Sequence, residues 1–432
     1  MKQGWPFSAA FFEENRQRLT NLMEPDAMAI LFSNDQMPRN GDQYFPFRQN
    51  SDLFHQTGIE QEKTILLLYP NCPVEKFREV LFIMRPNDTM ERWEGKKLTV
   101  ELAREISGIR TVLYVEEFEA VLREAMYYTE QVYLDTHIYV KFNPDVGTRA
   151  LRYGLEIHHQ YPFHQYRRLG PMLARVRLVK NETELAVMKE ACNITAGAFR
   201  RAARMVRPGV KEFEVQAEIE HEFRIRRATG HAFHPIIAAG INATYLHYNS
   251  NQDECLDGDL LLMDFGCEYF GYASDLTRTI PVNGTFTPRQ RELYNALLSV
   301  YKAAKPLFTQ GQTIEGVQKE VNGMIQEAMI RVGLFTKEEV KKQDPAQPLF
   351  MKYLPHGISH HVGLDVHDPG KKQTPFSAGM VLTLEPGIYI PEEKTGIRLE
   401  TDLVITRGEP LDLFGGLEME PDEIEALMRS TT

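Results

Sequence analysis

Residues 7–23 place apolar side chains at helical spacing, and Ala27-Met28-Ala29-Ile30-Leu31-Phe32 then forms an unbroken apolar run with the length of a buried strand. Strand patterns recur at residues 64–69, 80–84, 112–115 and 132–135 with helical spacing between them, which predicts an α/β domain. The aromatic and polar run from Tyr44 to Gly58 breaks this order. It is too polar for core and too aromatic for a linker, so it is expected to line a pocket or to pack against another domain. The stretch from Gly170 to Lys180 closes the unit, and Asn181-Glu182-Thr183-Glu184 supplies N-cap chemistry for a long helix through Arg204. The boundary is placed near residue 176, giving domains 1–176 and 177–432.

The second domain repeats its own order. Two helices, through 204 and over 212–229, precede strands at 236–239, 260–265 and 277–282. The second of these helices carries a mixed stripe of Phe213, Ala217, Ile219 or Glu220, and Phe223. Two further helices, 288–304 and 314–332, precede strands at 380–384 and 403–405. This predicts an α+β domain with an internal pseudo-twofold duplication. The halves also end alike: Gly258-Asp259-Leu-Leu-Leu-Met-Asp264-Phe-Gly266 aligns with Ala378-Gly379-Met-Val-Leu-Thr-Leu-Glu385-Pro-Gly387. Each is an apolar strand running into an acid-x-Gly, and each is followed by a second acid, Asp275 or Glu400.

At 432 residues, 43% apolar and 25% charged, the chain is expected to be a soluble globular protein with a large core. A net charge of -11 argues against general nucleic-acid or anionic-membrane binding, which needs clustered cations. Four cysteines without C-x-x-C spacing predict reduced thiols rather than disulfides or a structural zinc site. The polar start Met1-Lys2-Gln3 and the lack of any apolar run near the roughly 18 residues of a membrane span make a cytoplasmic protein the expectation.

The candidate chemistry lies in the repeated acids. A carboxylate at the end of a buried strand needs a partner, since an unpaired buried charge costs several kcal/mol. With a turn between Tyr269 and Phe270, Asp264 and Asp275 would face each other with Cβ atoms roughly 5 Å apart, a repulsive pair unless a cation lies between them. Between the hairpins, the loop from Leu354 to Asp368 carries His356, His360, His361 and His367, with Gly357 and Gly363 breaking regular periodicity. His247 stands alone in Tyr245-Leu-His-Tyr-Asn249, where a half-buried strand position is the bland alternative. Four carboxylates and an imidazole suit Mn²⁺ or a similar hard cation, and the charge count suits two ions sharing a bridging hydroxide. Hydrolysis is the expected reaction class.

Taken together, Asp264-Phe-Gly-Cys-Glu-Tyr-Phe-Gly-Tyr-Ala-Ser-Asp275, His356-Gly-Ile-Ser-His360, Gly363-Leu-Asp-Val-His367, Glu385-Pro-Gly and Ile397-Arg-Leu-Glu400 resemble the signature of the aminopeptidase P family. Phe47-Arg-Gln-Asn-Ser-Asp-Leu-Phe-His-Gln-Thr-Gly58 is similar to that of its N-terminal domain, so the resemblance spans nearly the whole chain. It implies a creatinase-like α/β domain followed by a pita-bread domain shared with methionine aminopeptidase and prolidase. It also implies Asp264, Asp275, His360, Glu385 and Glu400 as ligands of two Mn²⁺ ions, with Asp275 and Glu400 bridging.

By the same resemblance, His247, His356 and His367 contact substrate or stabilise the intermediate, Arg398 orients an acid beside the metals, and Tyr389 supports them. The implied substrate is a peptide with proline second, whose bond lacks an N–H and is poorly handled by peptidases that read extended backbone. A dimer or tetramer is implied, with Trp93 in the place of a tryptophan that reaches a neighbouring active site in some members. An ordinary packing tryptophan is the alternative there. The chain departs from the family wording at Gly230 to Pro235 and at His361, to which no role is assigned. Prolidase, which takes only Xaa-Pro dipeptides, is the nearest alternative; creatinase works without metal, and a catalytically inactive binding protein would be expected to have lost ligands.

Overall fold

The computed structural model describes residues 4–135 and 145–430; the first three positions of the polar N-terminal stretch lie outside them. The chain forms two compact units, Met1–Arg177 and Leu178–Thr432.

The N-terminal unit is built on a six-stranded sheet in the spatial order 111–114, 79–83, 65–68, 27–32, 131–134, 165–168. Strand Ile65–Leu68 runs antiparallel to both neighbours, while Ala27–Phe32, Gln131–Leu134 and Gln165–Arg168 are parallel. Every residue of Ala27–Phe32 is buried, because successive side chains enter different cores. Met28, Ile30 and Phe32 meet Phe118, Leu122 and Val132, whereas Ala29 and Leu31 meet Leu53, Ile109 and Leu173. Truncating such a residue, as in Leu67→Ala, costs about 2–5 kcal/mol.

The premise that the run from Tyr44 to Gly58 is too polar for core fails over its second half. Residues 52–57 of the helix Ser51–Thr57 are all buried. The polar side chains acquire partners only on folding: Asp52 accepts from Arg177 at 2.8 Å, and Gln49 donates to the carbonyls of Ile59 and Gln61. Gly58 ends the helix at φ 68°, where a Cβ would sit 2.4 Å from the Phe12 ring.

In the C-terminal unit, Asn181 and Glu184 form a reciprocal capping box at the start of the helix Glu182–Met205. The next helix, Glu212–Ile225, stops short of the expected 229, and its buried stripe is Val215, Ile219 and Phe223 at i, i+4 spacing. Phe213 is 46% exposed and drops out of that stripe. Strands Ile236–Ala239, Leu260–Phe265 and Leu276–Pro281 pair antiparallel in that order. The second half supplies helices Pro288–Ala304 and Ile314–Arg331, then antiparallel pairs Val381–Leu384 with Thr401–Val404 and Gly387–Ile390 with Thr395–Arg398. The two helices and acidic hairpin therefore occur twice. Glu400 N–H donates to the Thr277 carbonyl at 3.1 Å and joins the two hairpins.

The first hairpin has a different register from the expected one. Its turn is Phe270–Gly271, with φ of 46° and 84°, the left-handed pair of a two-residue hairpin loop. Asp264 consequently faces Thr277. Asp275 is its diagonal neighbour on the same face, a pairing of roughly 7–8 Å rather than the closer directly opposed one. Gly266 is required where the strands cross, since a Cβ there would lie 1.6 Å from the Ser274 carbonyl oxygen.

Candidate metal centre

Asp264 ends one buried strand and Asp275 leads into the next, while Glu385 and Glu400 leave and re-enter the second hairpin. Asp264, Asp275 and Glu400 are buried, and Glu385 and His360 are half-buried above them. One ligand atom each from Asp275, His360 and Glu400 lies within 4.8 Å of the others. His360 Nε2 is 3.5 Å from Asp275 Oδ2 and 3.8 Å from Glu385 Oε1, so four of the five expected ligands meet around one point. Asp264 lies on the same face of the first hairpin as Asp275, two register positions away, and its charge acts on Asp275 and Glu400.

The protonation pattern suits cation binding. His360 Nδ1 faces the His361 carbonyl at 3.1 Å, which can only accept, so the proton belongs on Nδ1 and the Nε2 lone pair faces the acids. Asp264 Oδ1 and Asp275 Oδ1 are buried without a hydrogen-bond partner. Burial first, and the neighbouring carboxylates second, push Asp275 and Glu400 well above the ordinary carboxylate range. A divalent cation removes both penalties at once, so the residues present fit one.

Around the acids, Arg398 gives each guanidinium nitrogen a separate task. One NH donates to Asp264 Oδ2, another to the Tyr389 hydroxyl at 2.7 Å, and Nε to Thr277 Oγ1 at 3.1 Å. Thr277 in turn donates to Glu400 Oε2 at 2.6 Å. Tyr389 O–H lies 2.7 Å from His356 Nε2, whose ring places Nδ1 2.6 Å from the Gly357 carbonyl. Because Nδ1 donates there, Nε2 accepts from the tyrosine. Burial, then the Arg398 charge, hold His356 neutral by lowering its pKa to about 4. Burial first, against the opposing Arg398 charge and with smaller contributions from the Glu385 and Asp264 charges, raises Tyr389 to about 12, so the hydroxyl stays protonated.

The other expected residues sit at the rim. His367 is exposed, its ring edge-on to His360 at 4.3 Å. His247 is exposed in a loop that follows a 3₁₀ turn, not half-buried in a strand, and is close enough to His356 to act on its charge. Trp93 is 85% exposed on the helix Asp88–Glu94 and is therefore no packing tryptophan. His361, given no role, is buried against the Gly370 backbone.

Sequence reasoning missed Thr277 and Asp402. Asp402 accepts from the Asp275 backbone N–H at 3.0 Å and from the Cys192 thiol, and burial raises it to about 7. Both lie two residues from an acid already singled out, which is the one signal that pointed to them. Among the described residues all four cysteines are free and buried.

A duplicated α+β unit with two acidic hairpins converging on one imidazole defines a pita-bread metallohydrolase. Residues 186–407 match the model of metallopeptidase family M24, and residues 12–133 match the aminopeptidase P N-terminal domain. The chain is 35% identical over 433 residues to the Xaa-Pro aminopeptidase of Escherichia coli (strain K12), covering 96% of this chain and 97% of that one. It is 29% identical over 441 residues to human Xaa-Pro aminopeptidase 3, covering 95% and 84%. The solved structure of zinc-substituted E. coli aminopeptidase P in complex with product superposes with a TM-score of 0.87 at 33% identity, covering 98% of each chain. The chain belongs to metallopeptidase family M24 and, within it, to the aminopeptidase P group; it is a metal-dependent exopeptidase.

Proposed function

We propose that this protein releases the N-terminal residue from peptides whose second residue is proline. The convergence of Asp275, His360, Glu385 and Glu400, with Asp264 beside Asp275 on the first hairpin, supports this most directly, on a chain alike over nearly its full length to Xaa-Pro aminopeptidases. In this reading those five side chains would hold two Mn²⁺ ions; four carboxylates to one imidazole favour a hard cation. When bound, such ions would activate water for attack near neutral pH and would polarise the scissile carbonyl.

The remaining work falls to the chain. Arg398 fixes Asp264 and keeps Tyr389 aimed at His356, so that the neutral His356 ring is oriented before substrate arrives. In this reading His247 at the rim donates to the substrate backbone, and His367 donates to the developing oxyanion. The exposed Trp93 supports assembly as a dimer or tetramer, which light scattering on the wild type and on Trp93→Ala would check. No described helix is long and apolar enough to cross a membrane; a cytoplasmic location is proposed on the four free cysteines, whose thiols suit a reducing compartment.

The test is hydrolysis, with Mn²⁺ supplied, of an Xaa-Pro dipeptide and an Xaa-Pro-Yaa tripeptide sharing their first residue. Cleavage of the tripeptide at the Xaa-Pro bond is expected. Cleavage of the dipeptide alone would move the assignment to a prolidase, and cleavage of neither by metal-loaded protein would leave a binding role.

A further inference from the structure

We propose that Glu212 is a positioning residue for substrate binding: its buried carboxylate holds residues 239–253 in the conformation that presents His247 at the rim of the metal centre. This rests on the function proposed above. Glu212 is fully buried at the first position of the helix Glu212–Ile225, and four donors converge on it. Oε1 accepts from Ala239 N–H at 2.9 Å and from Asn242 Nδ2 at 3.1 Å. Oε2 accepts from Tyr248 O–H at 2.6 Å and from Asp253 N–H at 2.9 Å. These donors span the loop from the end of strand Ile236–Ala239 to the residue where it returns to the helix, and Tyr248 follows His247 directly.

The arrangement needs a carboxylate. Two oxygens offer about four lone-pair sites, and the first turn of a helix favours the negative charge. The return end has a second anchor in the buried Asn251, held at φ 48°: its Oδ1 accepts from Ile237 N–H, and its Nδ2 donates to the Pro235 carbonyl and to Gln216 Oε1. His247 itself is exposed, so its position depends on what holds the loop around it. Glutamine at 212 keeps the shape but turns an NH₂ toward two donors. The Tyr248 hydroxyl can rotate and accept, whereas the Asp253 N–H cannot and is left unpartnered.

The experiment compares wild type, Glu212→Gln, Tyr248→Phe and the double variant by three measurements: amide hydrogen exchange over residues 241–253, retained metal, and kcat and KM on an Xaa-Pro-Yaa tripeptide. For Glu212→Gln, exchange in the loop is expected to rise and KM to increase roughly five- to tenfold, the size of one lost hydrogen bond. The kcat value and metal content should stay within about twofold, because the lost interaction acts on binding. Tyr248→Phe, which removes one donor and leaves the helix untouched, should move the same quantities less, and the double variant should be no worse than Glu212→Gln. Unchanged loop exchange in both single variants overturns the proposal, as does a fall in kcat with KM unchanged. If wild-type protein cleaves no Xaa-Pro peptide, the function reading fails by itself, and the exchange data still decide whether Glu212 anchors this loop.

Discussion

The two acidic hairpins carry equivalent pairs of acids but align them differently. In the second, Leu384 pairs with Thr401 and Gly387 with Arg398, and the same register sets Glu385 across from Glu400. In the first, Asp264 faces Thr277, and Asp275 is displaced by two residues. The turns explain the difference. The first closes through Phe270–Gly271, whereas the second runs through the 3₁₀ turn Pro391–Glu393 and Lys394. The offset places a hydroxyl opposite Asp264, and that hydroxyl links Arg398 to Glu400. Duplication thus supplied the acids, and unequal turns made room for the groups that hold them.

If both hairpins serve one centre, deleting an acid from either should be equally severe. Asp275→Ala and Glu400→Ala are each expected to abolish metal retention and to lower kcat by about a thousandfold or more, equivalent to about 4 kcal/mol. Mass spectrometry of metal retained after gel filtration, beside tripeptide hydrolysis, checks this. Full metal content in one variant and none in the other would mean that the hairpins do not share a site.

Each hairpin also contains a glycine at which a carbonyl passes too close for any side chain. A Cβ on Gly266 would lie 1.6 Å from Ser274 O, and one on Gly396 2.1 Å from Ala243 O. Both obstacles are backbone, so the strands themselves must shift. Gly266→Ala and Gly396→Ala are expected to destabilise by about 3 kcal/mol, the former more, read from urea midpoints. Equal wild-type midpoints would show that the crossings tolerate a side chain.

The strands, the repeat and the acids were legible because buried strands are apolar runs and an acid at the end of one stands out. Register was not legible: it depends on which two residues take positive φ, and Phe270 is an uncommon occupant of that region. Thr277, Asp402 and Glu212 were missed for a related reason, since a polar side chain reveals distant partners only in three dimensions. The run around Asp52 and Gln49 failed in the opposite sense: its polarity looked external, but its partners were Arg177 and backbone carbonyls elsewhere in the unit.

The offset in the first hairpin assigns Arg398 a task that lysine cannot perform. Its guanidinium serves Asp264, Tyr389 and Thr277 through separate nitrogens, and an ammonium cannot reach all three. Arg398→Lys is expected to weaken metal binding about 10- to 100-fold, as for other residues supporting ligands. Metal titration with a competing chelator measures it, and unchanged affinity would separate the register offset from metal binding.

The smallest expected effect concerns the turn that creates the offset. Phe270 adopts φ 46°, a conformation that costs an ordinary L-residue roughly 1–2 kcal/mol and asparagine less. Part of that cost is offset by the contact between the Phe270 and Tyr269 rings, whose centroids are 4.6 Å apart. Asparagine at 270 relieves the strain and forfeits the ring contact, so Phe270→Asn should stabilise the protein by about 0.5 kcal/mol, a small rise in the urea midpoint. Lys394 at φ 47° makes no ring contact among the described residues but would give up its favourable charge on Asp259, so Lys394→Asn should gain less than Phe270→Asn. Metal content and kcat should be unchanged in both, because neither substitution changes which residues face each other along the strands. A fall in metal content confined to Phe270→Asn would show that the phenylalanine, rather than the length of the turn, maintains the register of Asp264 and Asp275.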